Sequence, residues 1–211
     1  MKKESQVIFD KNVIEFVTVA AEFCAFLERA ESMKRSTFVD TTLKILPLLY
    51  LKASMLPKCE MIGDESPETY VTEEISEVLR INLASILAEK DDYLEVFLPD
   101  MAYSDEPIKK NISEDLADIY QDIKDFIFVF QLGLNETMND SLAICQENFG
   151  LLWGQKLVNT MRALHDVKYS PKARGEDEEE EEYEPENNED CHCEDDDCHC
   201  HDHGCHCHDD E

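Results

Sequence analysis

The residues SEDLADIYQDIKDFIFVF, at positions 113–130, show the clearest helical pattern in the chain. Their apolar side chains recur at steps of three and four, the spacing that places them on one side of an α-helix. They are Leu116, Ile119, Tyr120, Ile123, Phe126, Ile127 and Phe130. Ser113 is positioned to cap the start of this helix, and Gly133 follows its end as a C-terminal glycine commonly does. We therefore expect an amphipathic helix with one face in a core.

Four further segments show the same spacing, at 13–27, 37–56, 73–90 and 135–165. Asp10 and Thr72 precede two of them and are suitable N-caps, because their side chains accept hydrogen bonds from free helical N–H groups. Pro47 removes one backbone donor and is expected to kink or divide the second segment. Gly150 and Gly154 share a helical face in the last segment, which indicates close backbone approach and either one long helix or two.

A short helical turn is also predicted over 93–98, and a loop over 100–107. No alternation typical of strands competes with these patterns. The sequence therefore predicts an all-α protein, an antiparallel bundle of about five to six helices over residues 1–170. An acidic linker over 171–190 and a tail rich in Cys and His over 191–211 follow it.

The charge is divided unevenly along the chain. All 19 Lys and Arg lie before Gly175, and 19 of the 49 acidic residues lie after it, so the bundle carries about −11 and the tail about −19. Such surfaces repel phosphates, and we exclude nucleic acids and anionic membranes as partners. Because the tail has few apolar side chains to bury, it is expected to be disordered without a ligand.

The N-terminus does not have the pattern of a secretory signal, and no apolar run is long enough to span a bilayer. We therefore expect a cytoplasmic protein. In a reducing compartment, its nine cysteines are expected to be thiols or metal ligands rather than structural disulfides.

The last 21 residues form three heptads, CHCEDDD, CHCHDHG and CHCHDDE, each of which begins with Cys-His-Cys. They contain six of the nine cysteines and six of the seven histidines, a concentration typical of metal-binding tracts. The predicted ligands are Cys191, His192, Cys193, Cys198, His199, Cys200, His201, His203, Cys205, His206, Cys207 and His208. Thiolate and imidazole indicate Zn²⁺, Ni²⁺ or copper rather than Mg²⁺ or Ca²⁺. No organic cofactor is expected.

The Cys-x-Cys spacing differs from the Cys-x-x-Cys knuckles of folded zinc modules. Alternate side chains of an extended chain stand about 6.5 to 7 Å apart, whereas two sulfurs on one zinc ion are under about 4 Å apart, so the backbone must bend. Apolar residues that would form a small core are absent from the tail sequence. The pattern favours a labile store for several ions, suited to buffering or delivery.

Other interpretations stay open. The tail is alternatively a solvated acidic extension whose Cys and His do nothing, or a redox element, although the surrounding acids should raise the thiol pKa and oppose that role. The bundle is alternatively a protein interaction module to which the tail is accessory. An enzyme is disfavoured, because no nucleophile–base pair, phosphate loop or cofactor motif can be recognised. The sequence does not predict the oligomeric state.

Within the bundle, four carboxylates at helical spacing form a candidate metal-binding stripe: Asp115, Asp118, Asp122 and Asp125. No Glu-x-x-His pair accompanies them, and we expect a solvated face. His165, near the end of the last helix, is expected to have a local capping role.

Cys24 and Cys145 lie among apolar neighbours and are expected to be small core residues. Cys59 follows Pro57 and Lys58 in a predicted loop, where exposure is expected. Phe128 and Val129 lie off the main apolar stripe of the helix over 113–130 and are candidates for an exposed interaction patch.

Several segments resemble a known family: 38–50, Asn82 to Ala84, Glu89 to Leu94, 112–122 and Trp153 to Leu157. In this order they are similar to a family of proteins from Bacteroides and related bacteria that is named for a domain of unknown function, number 5063. The resemblance covers roughly residues 9–169 and stops before the tail. It implies an all-helical cytosolic protein and brings no activity or site residues.

Overall fold

A computed structural model describes residues 7–95 and 108–170 of the chain. These residues form six α-helices and one pair of short strands. In chain order the elements are α1 (Lys11–Glu28), α2 (Arg35–Ser54), α3 (Glu73–Leu87), β1 (Asp92–Leu94), β2 (Lys109–Asn111), α4 (Ile112–Gln131), α5 (Asn135–Asn148) and α6 (Gly154–Tyr169). The predicted all-α bundle is confirmed. No helix within the described ranges is long and apolar enough to cross a membrane.

The ends of three helices follow the predicted local chemistry. The Asp10 carboxylate accepts from the backbone N–H of Asn12 at 2.8 Å and caps α1. The Thr72 hydroxyl accepts from the N–H of Ile75 at 3.3 Å and caps α3. Gly133 follows α4 with φ of +74°, a left-handed conformation that costs glycine little because it has no Cβ.

The sequence predicted that Pro47 kinks or divides the second helix, and α2 runs through Pro47 without interruption, so the division did not occur. Leu46 and Leu49 on either side of the proline are completely buried. Burying one such side chain contributes roughly 1.5–3 kcal/mol, which offsets the backbone hydrogen bond that proline cannot donate.

α5 and α6 are joined by a π-helical turn, Phe149–Trp153, so they form one rod that contains a wider turn. The indole N–H of the fully buried Trp153 donates to the carbonyl of Cys145 at 3.1 Å. A Cβ at Gly154 would stand 2.3 Å from the Phe149 carbonyl oxygen, whereas one at Gly150 would meet nothing within 4 Å. The predicted close backbone approach is therefore confirmed for Gly154 and is wrong for Gly150. The backbone that Gly154 approaches belongs to the preceding turn of the same rod.

Neighbouring helices run antiparallel. The end of α1 meets the start of α2 where the rings of Phe26 and Phe38 stack at 5.6 Å between centroids. The end of α2 meets the π-helical turn that precedes α6 at Tyr50 and Phe149, whose ring centroids are 5.2 Å apart. α4 packs against α1, α3, α5 and α6 and is the central helix of the bundle.

β1 and β2 form an antiparallel pair in which Asp92 lies opposite Asn111 and Leu94 opposite Lys109. Tyr93 and Leu94, at the start of the segment predicted as a helical turn over 93–98, therefore lie in a strand, and that prediction is wrong for the described residues. Three-residue strands are too short to show alternation. The predicted loop over 100–107 lies outside the described residues.

Candidate metal tail and polar sites of the bundle

The tail and its twelve predicted ligands, from Cys191 to His208, lie outside the residues that the structure describes. The last described turn of α6 is tied to the first turns of α2, because the Lys168 ammonium donates to Asp40. That hydrogen bond and a second one from Lys44 lower the pKa of Asp40 to about 2. The end of α6 therefore lies at the end of the bundle at which α2 begins.

Between residues 7 and 95 and between 108 and 170, no three His, Cys, Asp or Glu side chains are arranged to hold a metal ion. The four aspartates of α4 do not form the predicted solvated face. Asp115 is buried and Asp118, Asp122 and Asp125 are half-buried, and each has a partner on another segment. The stripe anchors the rest of the bundle to its central helix.

Asp115 accepts a hydrogen bond from the Tyr93 hydroxyl and so joins α4 to β1. Burial raises the pKa of the Asp115 carboxyl, and the bond from Tyr93 and the charge of Lys156 oppose this increase. Burial also raises the pKa of Tyr93, and the hydrogen bond to the Asp115 carboxylate raises it further. Asp118 pairs with Lys156 and joins α4 to α6.

Two further aspartates hold α5 and the loop before α3. Asp122 accepts from the side-chain amide of Asn148 at 2.6 Å, and Asp125 accepts from the backbone N–H groups of Tyr70 and Val71 at 2.7 and 2.8 Å. Burial raises the pKa of Asp122, and the charge of Asp125 adds to this effect.

The start of α4 is capped from a distance. Asp91 accepts from both the backbone N–H and the hydroxyl of Ser113, each at 2.7 Å, and its own carbonyl accepts from the N–H of Ile112. Ser113 is completely buried inside the helix, so its prediction as the N-cap is wrong. The cap lies 22 residues upstream, which local sequence patterns do not reveal.

A second polar cluster binds the loop after α2. The buried Asp140 accepts from the backbone N–H groups of Ile62 and Gly63 at 2.6 and 2.9 Å. A Cβ at Gly63 would stand 2.7 Å from this carboxylate, so the position suits glycine. The Cys59 thiol donates to the side-chain oxygen of Asn139 at 3.2 Å. Cys59 is half-buried, and its predicted exposure is wrong.

The other described cysteines are core residues, as predicted. Cys24 and Cys145 are each 2% exposed. Burial raises the pKa of Cys24 to about 12 and that of Cys145 well above its ordinary value, so neither is a ready thiolate. The exposed His165 ring lies against Tyr169, with centroids 4.6 Å apart. The N–H that follows α6, from Ser170, bonds to the Asp166 carbonyl.

The predicted interaction patch on α4 is wrong for Val129, which is buried. Phe128 is half-buried, and the Tyr70 ring stacks on it at 4.7 Å between centroids. A different apolar stripe faces solvent on the outside of α2. Its side chains Leu48, Leu51 and Met55 are 43%, 50% and 45% exposed.

Comparison with known proteins places the bundle in a family. No curated protein matches the chain. The crystal structure of protein BF1032 from Bacteroides fragilis is similar to it, with 92% identity and a TM-score of 0.73 over 80% of this chain and 99% of that one. The sequence model described as domain of unknown function DUF5063 matches residues 7–170. The chain therefore belongs to the DUF5063 family.

Proposed function

We propose that this protein is a cytosolic metal-binding protein that holds Zn²⁺, or alternatively Ni²⁺ or copper, through its C-terminal tail. The observation that carries the proposal is the threefold Cys-His-Cys repeat, with six thiols and six imidazoles in the last 21 residues. These are the ligands that late transition metals prefer. The tail buffers or delivers the metal, and the bundle carries it.

The bundle supports this division of roles. A metal binds the thiolate and not the thiol, so a raised thiol pKa opposes binding. Burial raises the pKa of Cys24, Cys59 and Cys145, the described cysteines. The tail cysteines have no large apolar neighbours in sequence to bury them. Each tail cysteine also has a histidine next to it in sequence, which supplies a second ligand on the same segment, so metal is expected to select the tail even though its acids also raise the thiol pKa.

A zinc titration of the full chain tests the proposal. We expect about one to three equivalents of Zn²⁺ to bind with proton release, since six thiols and six imidazoles complete at most three two-Cys, two-His sites. Each site that uses two thiolates releases up to about two protons, so its net charge hardly changes. Calorimetry in buffers of different ionisation enthalpy measures both quantities.

The decisive variant replaces the six tail cysteines by Ser, and Cys59→Ser is the matched control. The six-fold variant should lose most of its zinc affinity and proton release, whereas the control should bind as the parent does. Undiminished affinity and unchanged proton release in the six-fold variant would show that imidazole and carboxylate hold the metal, and the cysteine assignment would be rejected.

A second candidate function is a helical interaction module in which the tail is accessory. The outer stripe of α2 favours it, because Leu48, Leu51 and Met55 lie at helical spacing and are about half exposed. Under this hypothesis the double variant Leu48→Ser, Leu51→Ser retains the fold and loses a bound partner in pull-down experiments, whereas Lys44→Ser keeps it. Equal retention of the partner by both variants would exclude this stripe.

A further inference from the structure

The long loop between α2 and α3 is fixed at two points and covers a pocket. Asp140 of α5 holds its first part, and Asp125 of α4 holds its end. Between these anchors, residues 66–69 of the loop face α4 and α5 across a pocket of about 280 Å³. Because side chains fix the loop on both sides, a ligand would not have to order it on binding.

The walls of this pocket differ in chemistry. Its lining residues include the acidic Glu68, Asp122 and Asp125 and the apolar Phe126 and Val129. The described residues that line the pocket include no Lys or Arg. Such a pocket favours a cation over an anion, and its apolar wall favours an organic group over a bare ion.

The carboxylates have capacity for another donor. Among the described residues, the hydrogen bonds to Asp122 and Asp125 use only the Oδ1 atom of each. The two residues are three apart on α4 and so lie on the same side of the helix. Burial and the neighbouring carboxylates raise the pKa of Asp122, so its negative charge is poorly compensated. A bound cation would supply that compensation.

Size narrows the class of ligand. A cavity of about 150 Å³ is enough to hold benzene, so a pocket of about 280 Å³ has room for one ring and a short arm. We infer that the pocket binds a small organic ammonium ion. Its N–H groups donate to Asp122 and Asp125, and its apolar group lies against Phe126 and Val129.

Benzylammonium is a suitable probe, with benzyl alcohol as its neutral counterpart. Titration of the full chain, followed by amide chemical shifts, should give saturable binding with Kd on the order of 1 mM, as expected for so small a ligand. The shifts should centre on residues 66–69 and on the facing turns of α4 and α5. The titration requires about 0.15 M salt, which screens weak attraction of the probe to the acidic tail.

Two comparisons test whether binding requires the charge of the ligand and the charge of Asp122. Benzyl alcohol should bind about tenfold more weakly, because charge-assisted hydrogen bonds are roughly twice as strong as neutral ones. Asp122→Asn keeps an acceptor for Asn148 and should weaken benzylammonium binding by about fivefold or more. Asp92→Asn is the matched control, since Asp92 is exposed, pairs with Lys109 and does not line the pocket; the affinity of this variant for benzylammonium should match that of the parent.

Three outcomes would overturn the inference. Absence of saturable shifts at these residues would mean that the pocket holds only water. Equal affinities for benzyl alcohol and benzylammonium would mean that apolar contacts, and not the carboxylates, determine binding. Unchanged affinity of a folded Asp122→Asn variant would place the cation elsewhere. The alcohol comparison uses the parent protein and does not depend on the folding of any variant.

Discussion

Asp91→Ala should lower the free energy of unfolding by about 3 kcal/mol. Its carboxylate accepts the backbone N–H and the hydroxyl of Ser113, which is completely buried in the first turn of α4. Loss of an N-cap costs about 1 kcal/mol, and a buried donor without a partner costs about 1–3 kcal/mol. The Ile112 N–H keeps its bond, because it donates to the Asp91 backbone carbonyl.

Urea unfolding followed by circular dichroism measures this loss. For a domain of this size, it corresponds to a decrease in Tm of about 6–12 °C. Asp92→Ala is the matched control, since Asp92 is exposed and pairs with Lys109 at the surface. Its cost should stay under about 1 kcal/mol. A loss in Asp91→Ala no larger than that of the control would refute the distant cap as the support of α4.

Three further predictions follow from glycine packing, buried charge and the tail. Gly154→Ala should destabilise the bundle by about 1–3 kcal/mol, because its Cβ would meet a backbone carbonyl, whereas Gly150→Ala should stabilise it by about 0.4–1 kcal/mol; equal effects in urea unfolding would contradict the packing difference. The pKa of Asp115 is higher in the folded protein than in the unfolded chain, where it is about 4. The free energy of unfolding should therefore decrease as the pH rises from about 4 through the pKa of the folded state. Asp115→Asn keeps an acceptor for Tyr93 and should therefore increase stability more at neutral pH than at about pH 4; an unchanged pH dependence would argue against a buried charge. Truncation at Gly175 should leave the helical signal and Tm nearly unchanged, because no aliphatic side chain larger than Pro lies beyond it; a large loss of either would mean that the tail packs on the bundle.

The helices were predictable from sequence where local chemistry determines them. Asp10, Thr72 and Gly133 act within a few residues of the helix ends that they define. The cap of α4 was not predictable, because Asp91 and Ser113 are far apart in sequence and meet only when β1 and β2 pair. Three-residue strands also lack a detectable period.

The candidate sites could not be predicted from local sequence patterns either. Acids at steps of three and four look identical in sequence whether they face water or hold another segment. Asp122 and Asp125 became recognisable as anchors only through Asn148, Tyr70 and Val71, which lie on other segments. The pocket above them depends on the path of the loop between α2 and α3, and spacing along the chain does not contain that path.

The central position of α4 has a consequence for hydrogen exchange. Of its 20 residues, only Glu114, Gln121 and Gln131 are exposed, and its neighbours are α1, α3, α5 and α6. A local opening that freed this helix would have to displace all four of them at once. Amides near its middle should therefore exchange only through global unfolding, and their rates give the stability of the whole bundle directly.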